Sequence, residues 1–235
     1  MSNKLYIVMP AYNEQENIED VVSQWHPIVE QIGQESRLVI FDDGSKDQTF
    51  AKMQELEQKY PFFKAETKSN SGHGSTCLYA YRYAIEKGAD YIFQTDSDGQ
   101  TIPNEFWTLW NEKINYDYLI GYRSHRQDGF SRIIVTKVLK WIVRCIFGVK
   151  VKDANTPFRL MKREHLAEYL KVIPKDFFLS NVIISTIAVK RKENIFWTPV
   201  TFKPRQKGTN SINIKRIIKI GWKAIGDFKQ IRKQI

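Results

Sequence analysis

Apolar residues along the first hundred positions recur with two different periods. Leu5-Tyr6-Ile7-Val8-Met9 is a short β-rich run stopped by Pro10, and from Asn13 onward Ile18, Val21, Val22, Trp25 and Ile28 follow at three- and four-residue steps. The run predicts a strand and the stripe a helix. Arg37-Leu38-Val39-Ile40-Phe41 repeats the scheme, ends in Asp42-Asp43-Gly44-Ser45-Lys46-Asp47, and leads into a second stripe at Phe50, Met53, Leu56 and Tyr60. A glycine-containing loop from Lys68 to Gly74 precedes a third stripe at Cys77, Leu78, Tyr81, Ala84 and Ile85, after which Tyr91-Ile92-Phe93 runs into Asp96-Ser97-Asp98-Gly99-Gln100. Alternating β and α units predict an α/β fold with a mainly parallel central sheet, helices on both faces, and ligands beyond the carboxyl ends of the strands. Each polar cluster falls at such an end.

The second half is more basic. Asp117-Tyr118-Leu119-Ile120-Gly121 predicts another strand, and Arg132 to Phe147 a helix dense in Ile133, Ile134, Val138, Leu139, Trp141, Ile142, Cys145 and Ile146. Lys137, Lys140 and Arg144 interrupt it every three or four residues, which suits either a core helix with a solvated stripe or a helix lying on a bilayer with its cations at the head groups. Asp153 to Arg159 reads as a polar loop closing over the site, with Arg159 bracing Asp153 or salt-bridged to it. In the tail, Ile214, Ile217, Ile218, Gly221, Trp222, Ile225, Phe228, Ile231 and Ile235 form one helical stripe, and the segment 212–235 carries +6 of the chain's +10 net charge. Such a helix lies in an interface, or packs on the domain or a partner chain.

The 235 residues are enough for one catalytic domain, 1–211, followed by the basic amphipathic helix 212–235. Cys77 and Cys145 lie far apart without metal or disulfide spacing, and no stretch approaches the length of a membrane span. The expectation is a cytoplasmic protein, peripheral on the inner face of the membrane. Positive charge calls for an anionic partner, and the absence of a groove-reading or base-stacking pattern argues against nucleic acid.

Asp96 and Asp98 carry the sharpest chemistry. In extended backbone, residues two apart project to one face, so both carboxylates can lean toward one cation from the end of a buried strand. Hard oxygen donors in a half-built site suit Mg2+ or Mn2+ shared with a phosphorylated ligand, whereas an ordinary turn is the other reading of the same residues. Asp42 and Asp43, directly after a buried strand, can accept hydrogen bonds from a nucleobase or ribose. Ser71 to Gly74 can bring backbone N–H groups to a phosphate, with His73 either a solvated loop residue or a ligand contact. Asp153 is a further candidate for a catalytic or acceptor-positioning carboxylate.

Taken together, Pro10-Ala11-Tyr12-Asn13-Glu14-x-x-Asn17-Ile18, Asp42-Asp43-Gly44-Ser45-x-Asp47-x-Thr49, Asn70-x-Gly72-His73-Gly74, Asp96-x-Asp98-x-Gln100, Gly121-Tyr122-Arg123, Asp153-x-x-x-x-Phe158-Arg159 and Arg205-x-x-Gly208-x-x-Ser211 resemble the family-two glycosyltransferases with the GT-A nucleotide-diphospho-sugar transferase fold. Within that family the likeness is to polyprenyl-phosphate sugar transferases of the dolichol-phosphate mannose synthase type, and it spans Leu5 to Ser211. The resemblance implies an inverting, metal-dependent hexosyltransferase using a UDP- or GDP-sugar and a polyprenyl phosphate at an anionic membrane surface. A glycan or cell-wall polymer as acceptor is the alternative, and a non-catalytic nucleotide-sugar-binding module a more remote one. By the same resemblance Pro10, Ala11, Tyr12, Glu14, Asp42, Asp43, Gly72, Asp96 and Ser97 contact the nucleotide sugar. Asp96, Asp98 and Gln100 hold the metal, Arg123, Arg132, Thr136 and Arg205 handle the acceptor phosphate, and Asp98, Asp153 and Arg132 are catalytic. Where relatives often carry a glutamate after an aromatic pair, this chain reads Phe177-Phe178-Leu179-Ser180-Asn181. A sugar hydroxyl needs a base to remove its proton, whereas a phosphate arrives anionic, so the departure favours a phosphate acceptor.

Overall fold

The computed structural model describes residues 3–123, 130–204 and 225–235, with backbone alone for 130–135. The first half is built as the periodicities require. Strand β1 (Leu5–Ala11) leads to helix α1 (Ile18–Ile32), β2 (Arg37–Asp42) to α2 (Thr49–Lys59), β3 (Phe63–Thr67) to α3 (His73–Glu86), and β4 (Tyr91–Gln94) to α4 (Phe106–Glu112). The second half runs β5 (Tyr118–Arg123), α5 (Phe130–Phe147), β6 (Arg159–Lys162), α6 (Arg163–Val172), α7 (Ser180–Lys190) and β7 (Ile195–Val200), with a last helix, α8, over 225–232.

Among the described residues, seven strands form one sheet in the order β3-β2-β1-β4-β6-β5-β7, and of these β6 alone runs against the rest. All seven residues of β1 are buried, the signature of a strand covered on both faces. Leu5, Ile7 and Met9 point to one layer with Ile40, Phe93 and the α1 stripe, while Tyr6 and Val8 point to the other with Phe41, Tyr81 and Val182. Trp25 of α1 stacks on Phe93 at 5.5 Å between centroids, locking that helix to the middle of the sheet.

Two strands differ from the sequence expectation. β3 is an edge strand whose Phe63 and Ala65 are buried while Lys64 and Glu66 are partly exposed, so it has too few apolar residues to stand out. β6 begins at Arg159, which is not part of a covering loop: its guanidinium is fully buried beneath the sheet's carboxyl edge. The apolar stripe of the tail, as far as it is described, is used within the domain. Phe228 and Ile231 are buried, and Phe228 meets Phe147 of α5 and Phe177 at 5.5 and 5.6 Å.

Candidate active site

The carboxyl ends of β1, β2, β3 and β4 converge, and the loops after them are stitched to one another. After β1, Asn13 adopts φ of 55°, a conformation that Asn tolerates better than most residues. Its side-chain oxygen accepts the Lys46 N–H at 2.8 Å, and its own N–H donates to Ser45 Oγ at 2.9 Å. Glu14 is buried, donates its N–H to Thr49 Oγ1 at 2.8 Å and accepts Asn17 Nδ2 at 2.7 Å. Ala11 accepts the Asp43 N–H at 2.8 Å and Pro10 accepts the Ser97 hydroxyl at 2.7 Å. Tyr12 stands exposed at the rim.

Asp42 and Asp43 are both buried, but differently employed. Asp42 accepts the Ser45 N–H at 3.2 Å and the Thr67 hydroxyl at 2.9 Å, closing the turn after β2 onto the end of β3. Asp43 accepts the N–H groups of Ser71 and Gly72 at 2.9 and 2.8 Å and is ion-paired to Lys68. Burial alone would raise the Asp43 carboxyl, but the bonds from Lys68, Ser71, Thr76 and Gly72 outweigh it and hold the group below its ordinary value. Asp43 thereby fixes the glycine loop and the start of α3. Gly74 sits in that start, where a Cβ would lie 1.9 Å from the Phe178 carbonyl oxygen.

At the end of β4 the predicted alternation is realised. Ser97 is buried, while Asp96 and Asp98 on either side of it are half-exposed, on the outer side of the loop. Asp96 Oδ1 receives His73 Nε2 at 2.9 Å and Gln94 Nε2 at 3.2 Å. Asp98 accepts the Gln100 N–H at 3.1 Å, with Gly99 supplying the positive φ of 71° that the turn needs. Two solvent-facing carboxylates on adjacent outward positions are the hard, incomplete donor set that a divalent cation shared with a diphosphate requires. Gln100 is tied to the segment after β7: its Nε2 donates to the Lys203 carbonyl at 2.8 Å and its backbone carbonyl accepts the Lys203 N–H at 2.7 Å. That clasp brings the segment after β7 up to the carboxylate loop.

On the β5 side, Arg123 makes a two-pronged contact with Asp153, Nε to Oδ2 at 3.2 Å and Nη2 to Oδ1 at 3.4 Å, and its guanidinium lies over the Phe202 ring at 5.3 Å. Asp153 is therefore paired with Arg123, and Arg159 takes another role. Arg159 donates to the Thr156 carbonyl, to Tyr118 Oη at 2.7 Å, to the Asn181 carbonyl at 3.0 Å and to Ser185 Oγ at 3.3 Å, all of them neutral acceptors. Thr136 lies half-buried on α5. The side chain of Arg132 and the whole of Arg205 lie outside the described residues.

The site also employs residues that the motifs did not single out. Lys68, Gln94 and Lys203 became visible only when the loops were assembled, and His73, ambiguous in sequence, faces Asp96. A second cluster, Asp117, His165 and Glu193, belongs to the opposite end of the sheet, since Asp117 precedes β5. There Lys162 already pairs with Asp117 at 2.9 Å, so the group is a salt-bridge network remote from the carboxylate pair.

A sheet of this order between two helical layers, with Asp43 fixing a glycine loop and the Asp96 and Asp98 pair facing outward, is the GT-A fold of nucleotide-sugar transferases. The chain belongs to the family described as glycosyl transferase family 2, whose model matches residues 6–170. It is 24% identical over 221 residues to the polyprenol monophosphomannose synthase of Mycolicibacterium smegmatis, covering 90% of this chain and 82% of that protein. It is 27% identical over 235 residues to the UDP-N-acetylglucosamine–dolichyl-phosphate N-acetylglucosaminyltransferase of Methanococcus voltae, covering 89% and 92%. Among solved structures, glucosyl-3-phosphoglycerate synthase from Mycobacterium tuberculosis, bound to Mn2+, UDP and glucosyl-3-phosphoglycerate, superposes with a TM-score of 0.67 at 15% identity, covering 98% of this chain and 80% of that one.

Proposed function

We propose that this chain transfers a sugar from a nucleoside diphosphate sugar, UDP- or GDP-linked, to a polyprenyl phosphate, with inversion at the anomeric carbon. The observation that carries the reading is the outward Asp96 and Asp98 pair at the end of β4, above a nucleotide-side loop fixed by Asp43. Two relatives whose names specify polyprenol or dolichyl phosphate chemistry support the acceptor class. Asp96 and Asp98 would hold Mg2+ or Mn2+, which when bound offsets charge on the departing diphosphate.

The protein's own groups do the rest. Pro10, Ala11, Tyr12 and Glu14 frame the nucleoside side, and the ordered Ser71-Gly72 backbone lines the approach to α3. Arg123, Arg132 and Arg205 supply positive charge for the acceptor phosphate and Thr136 a hydroxyl, and Asp153 holds the Arg123 fork in one orientation. Residues 177–181 offer no carboxylate to deprotonate an acceptor, and an anionic phosphate oxygen needs none.

The acceptor is a lipid, and α5 suits the membrane surface. Val138 and Trp141 are exposed on it, flanked by exposed Lys137, Lys140 and Arg144, while the described apolar stripe of α8 is turned into the domain. No helix among the described residues is long and apolar enough to cross a membrane. Peripheral attachment to an anionic cytoplasmic leaflet follows as part of the same proposal.

The test is release of nucleoside diphosphate from a panel of UDP- and GDP-sugars with Mn2+, with and without a short polyprenyl phosphate. Release stimulated by the lipid phosphate is expected. Release indifferent to it would overturn the acceptor and point to a glycan. Asp98→Asn should lower turnover by about 100-fold or more without changing the melting temperature.

A further inference from the structure

Asp96 is the end of a buried chain of hydrogen bonds that crosses three elements. Gln94, the last residue of β4, is fully buried and donates Nε2 to Asp96 Oδ1 at 3.2 Å. A carboxylate accepts only, so the amide nitrogen must face Asp96, and the Gln94 carbonyl oxygen is turned inward. There it meets the hydroxyl of Tyr81, a fully buried residue of α3, at 3.3 Å. The same hydroxyl lies 3.3 Å from the side-chain oxygen of Asn181 in α7. Behind Asn181 stands the buried Arg159 guanidinium, which donates to the Asn181 backbone carbonyl at 3.0 Å.

A phenol has one proton and donates to one oxygen at a time. Asn181 can turn its amide and present N–H to the phenol oxygen, which leaves the Tyr81 proton wholly for Gln94. Every donor in the chain then points toward Asp96. A carboxylate at position 181 could not do this: it would take the Tyr81 proton for itself. Among the described residues Arg159 has no carboxylate partner, so this chain carries a buried cation at one end of the relay and a solvent-facing carboxylate at the other.

Both hydrogen bonds described for Asp96 fall on Oδ1, from Gln94 and from His73 at 2.9 Å. Oδ1 is thereby fixed from two sides, by the sheet and by the first residue of α3. Nothing among the described residues bonds Oδ2, which is the oxygen left for a cation.

We infer that Tyr81 is a positioning residue for the cation-binding carboxylate: acting through Gln94, with Asn181 donating from behind, it holds Asp96 in the orientation in which Oδ2 meets a divalent cation bound with a nucleoside diphosphate. The inference rests on the donor-site reading above and extends it to residues that contact neither donor nor acceptor. A phenol that merely filled space would be replaced by phenylalanine without consequence for the cation.

Mn2+ binding, followed by the loss of the free-ion electron paramagnetic resonance signal in the presence of saturating UDP or GDP, reads the effect without turnover. Tyr81→Phe should weaken Mn2+ binding by about 3- to 10-fold, the effect of one hydrogen bond. Asn181→Asp should weaken it similarly, while its melting temperature stays at or above the wild-type value because the Arg159 cation bonded to the backbone of residue 181 offsets the new charge. That opposition between stability and cation affinity is not expected of a packing defect, and it remains readable if Tyr81→Phe folds poorly. Wild-type affinity in both variants would overturn the relay while leaving the donor site intact. No Mn2+ binding by the wild-type protein with either nucleotide would overturn the donor-site reading, and the relay with it.

Discussion

Gly74→Ala tests how closely the two sides of the site are built together. Gly74 lies in the first turn of α3, and an added Cβ would meet the Phe178 carbonyl oxygen at 1.9 Å, its carbon at 2.4 Å and the Phe177 carbonyl oxygen at 2.9 Å. All three are backbone atoms, so no rotamer relieves the clash. Relief to a 3.0 Å contact needs a separation of at least ~1.1 Å between α3 and the segment leading into α7. Overpacking of this kind costs up to about 3 kcal/mol, and the better helix propensity of alanine returns roughly 1 kcal/mol. The expected net loss is about 2 kcal/mol, or a fall of roughly 0.7 M in the urea midpoint for a slope near 3 kcal/mol per M. Gly226→Ala is the control, because a Cβ there meets nothing within 4 Å in α8. That variant should gain up to about 1 kcal/mol. A urea midpoint for Gly74→Ala at or above the wild-type value would refute the reasoning.

Other expectations follow from the same geometry. Asp43→Asn leaves the largely buried Lys68 ammonium without its counter-charge and should cost about 3 kcal/mol in equilibrium unfolding. Because the folded-state Asp43 carboxyl is held below its ordinary value, its contribution is complete above about pH 4 and is lost as pH falls through that lower folded value. Acid titration of stability should therefore be less steep in the variant. Arg159→Met strips the donor from the Thr156 and Asn181 carbonyls and the Tyr118 hydroxyl, and should destabilise by about 3 kcal/mol or more in the same assay. Trp141→Glu should reduce partitioning onto anionic vesicles by roughly 30-fold, about 2 kcal/mol of lost burial, with catalysis on a short-chain soluble acceptor unchanged.

The parts of the fold that sequence made legible are those in which local pattern and global burial agree. β1, β2 and β4 are apolar runs buried on both faces, and α1 shows its core face as an unbroken stripe. β3 was illegible because an edge strand with Lys64 and Glu66 at alternate positions has little apolar pattern to read. Arg159 misled for a different reason. A guanidinium is ordinarily expected in solvent or beside a carboxylate, and here four neutral groups, on β5, on α7 and at Thr156 before β6, replace the carboxylate, a solution no local window contains. Asp96 and Asp98 were legible because their two-residue spacing is itself the geometry. The groups behind them were not: Tyr81 is 13 residues from Gln94 and 100 from Asn181, so their meeting exists only in the folded chain.

The position of β6 bears on the order in which the molecule can be made. It is synthesised after β5 yet lies between β5 and β4, and β7, the other neighbour of β5, comes later still. While the ribosome is delivering residues up to 158, β5 has no strand to join and the edge of β4 stands open. Strands β1, β2, β3 and β4 can pair as they emerge, whereas β5 gains its neighbours only with β6 and β7. A nascent or truncated chain ending before Arg159 would expose an unpaired edge of Tyr91 to Gln94 to neighbouring chains. The four antiparallel residues of β6 thus join β4 to β5 only late in synthesis, after every strand of the β1 to β4 half has been made.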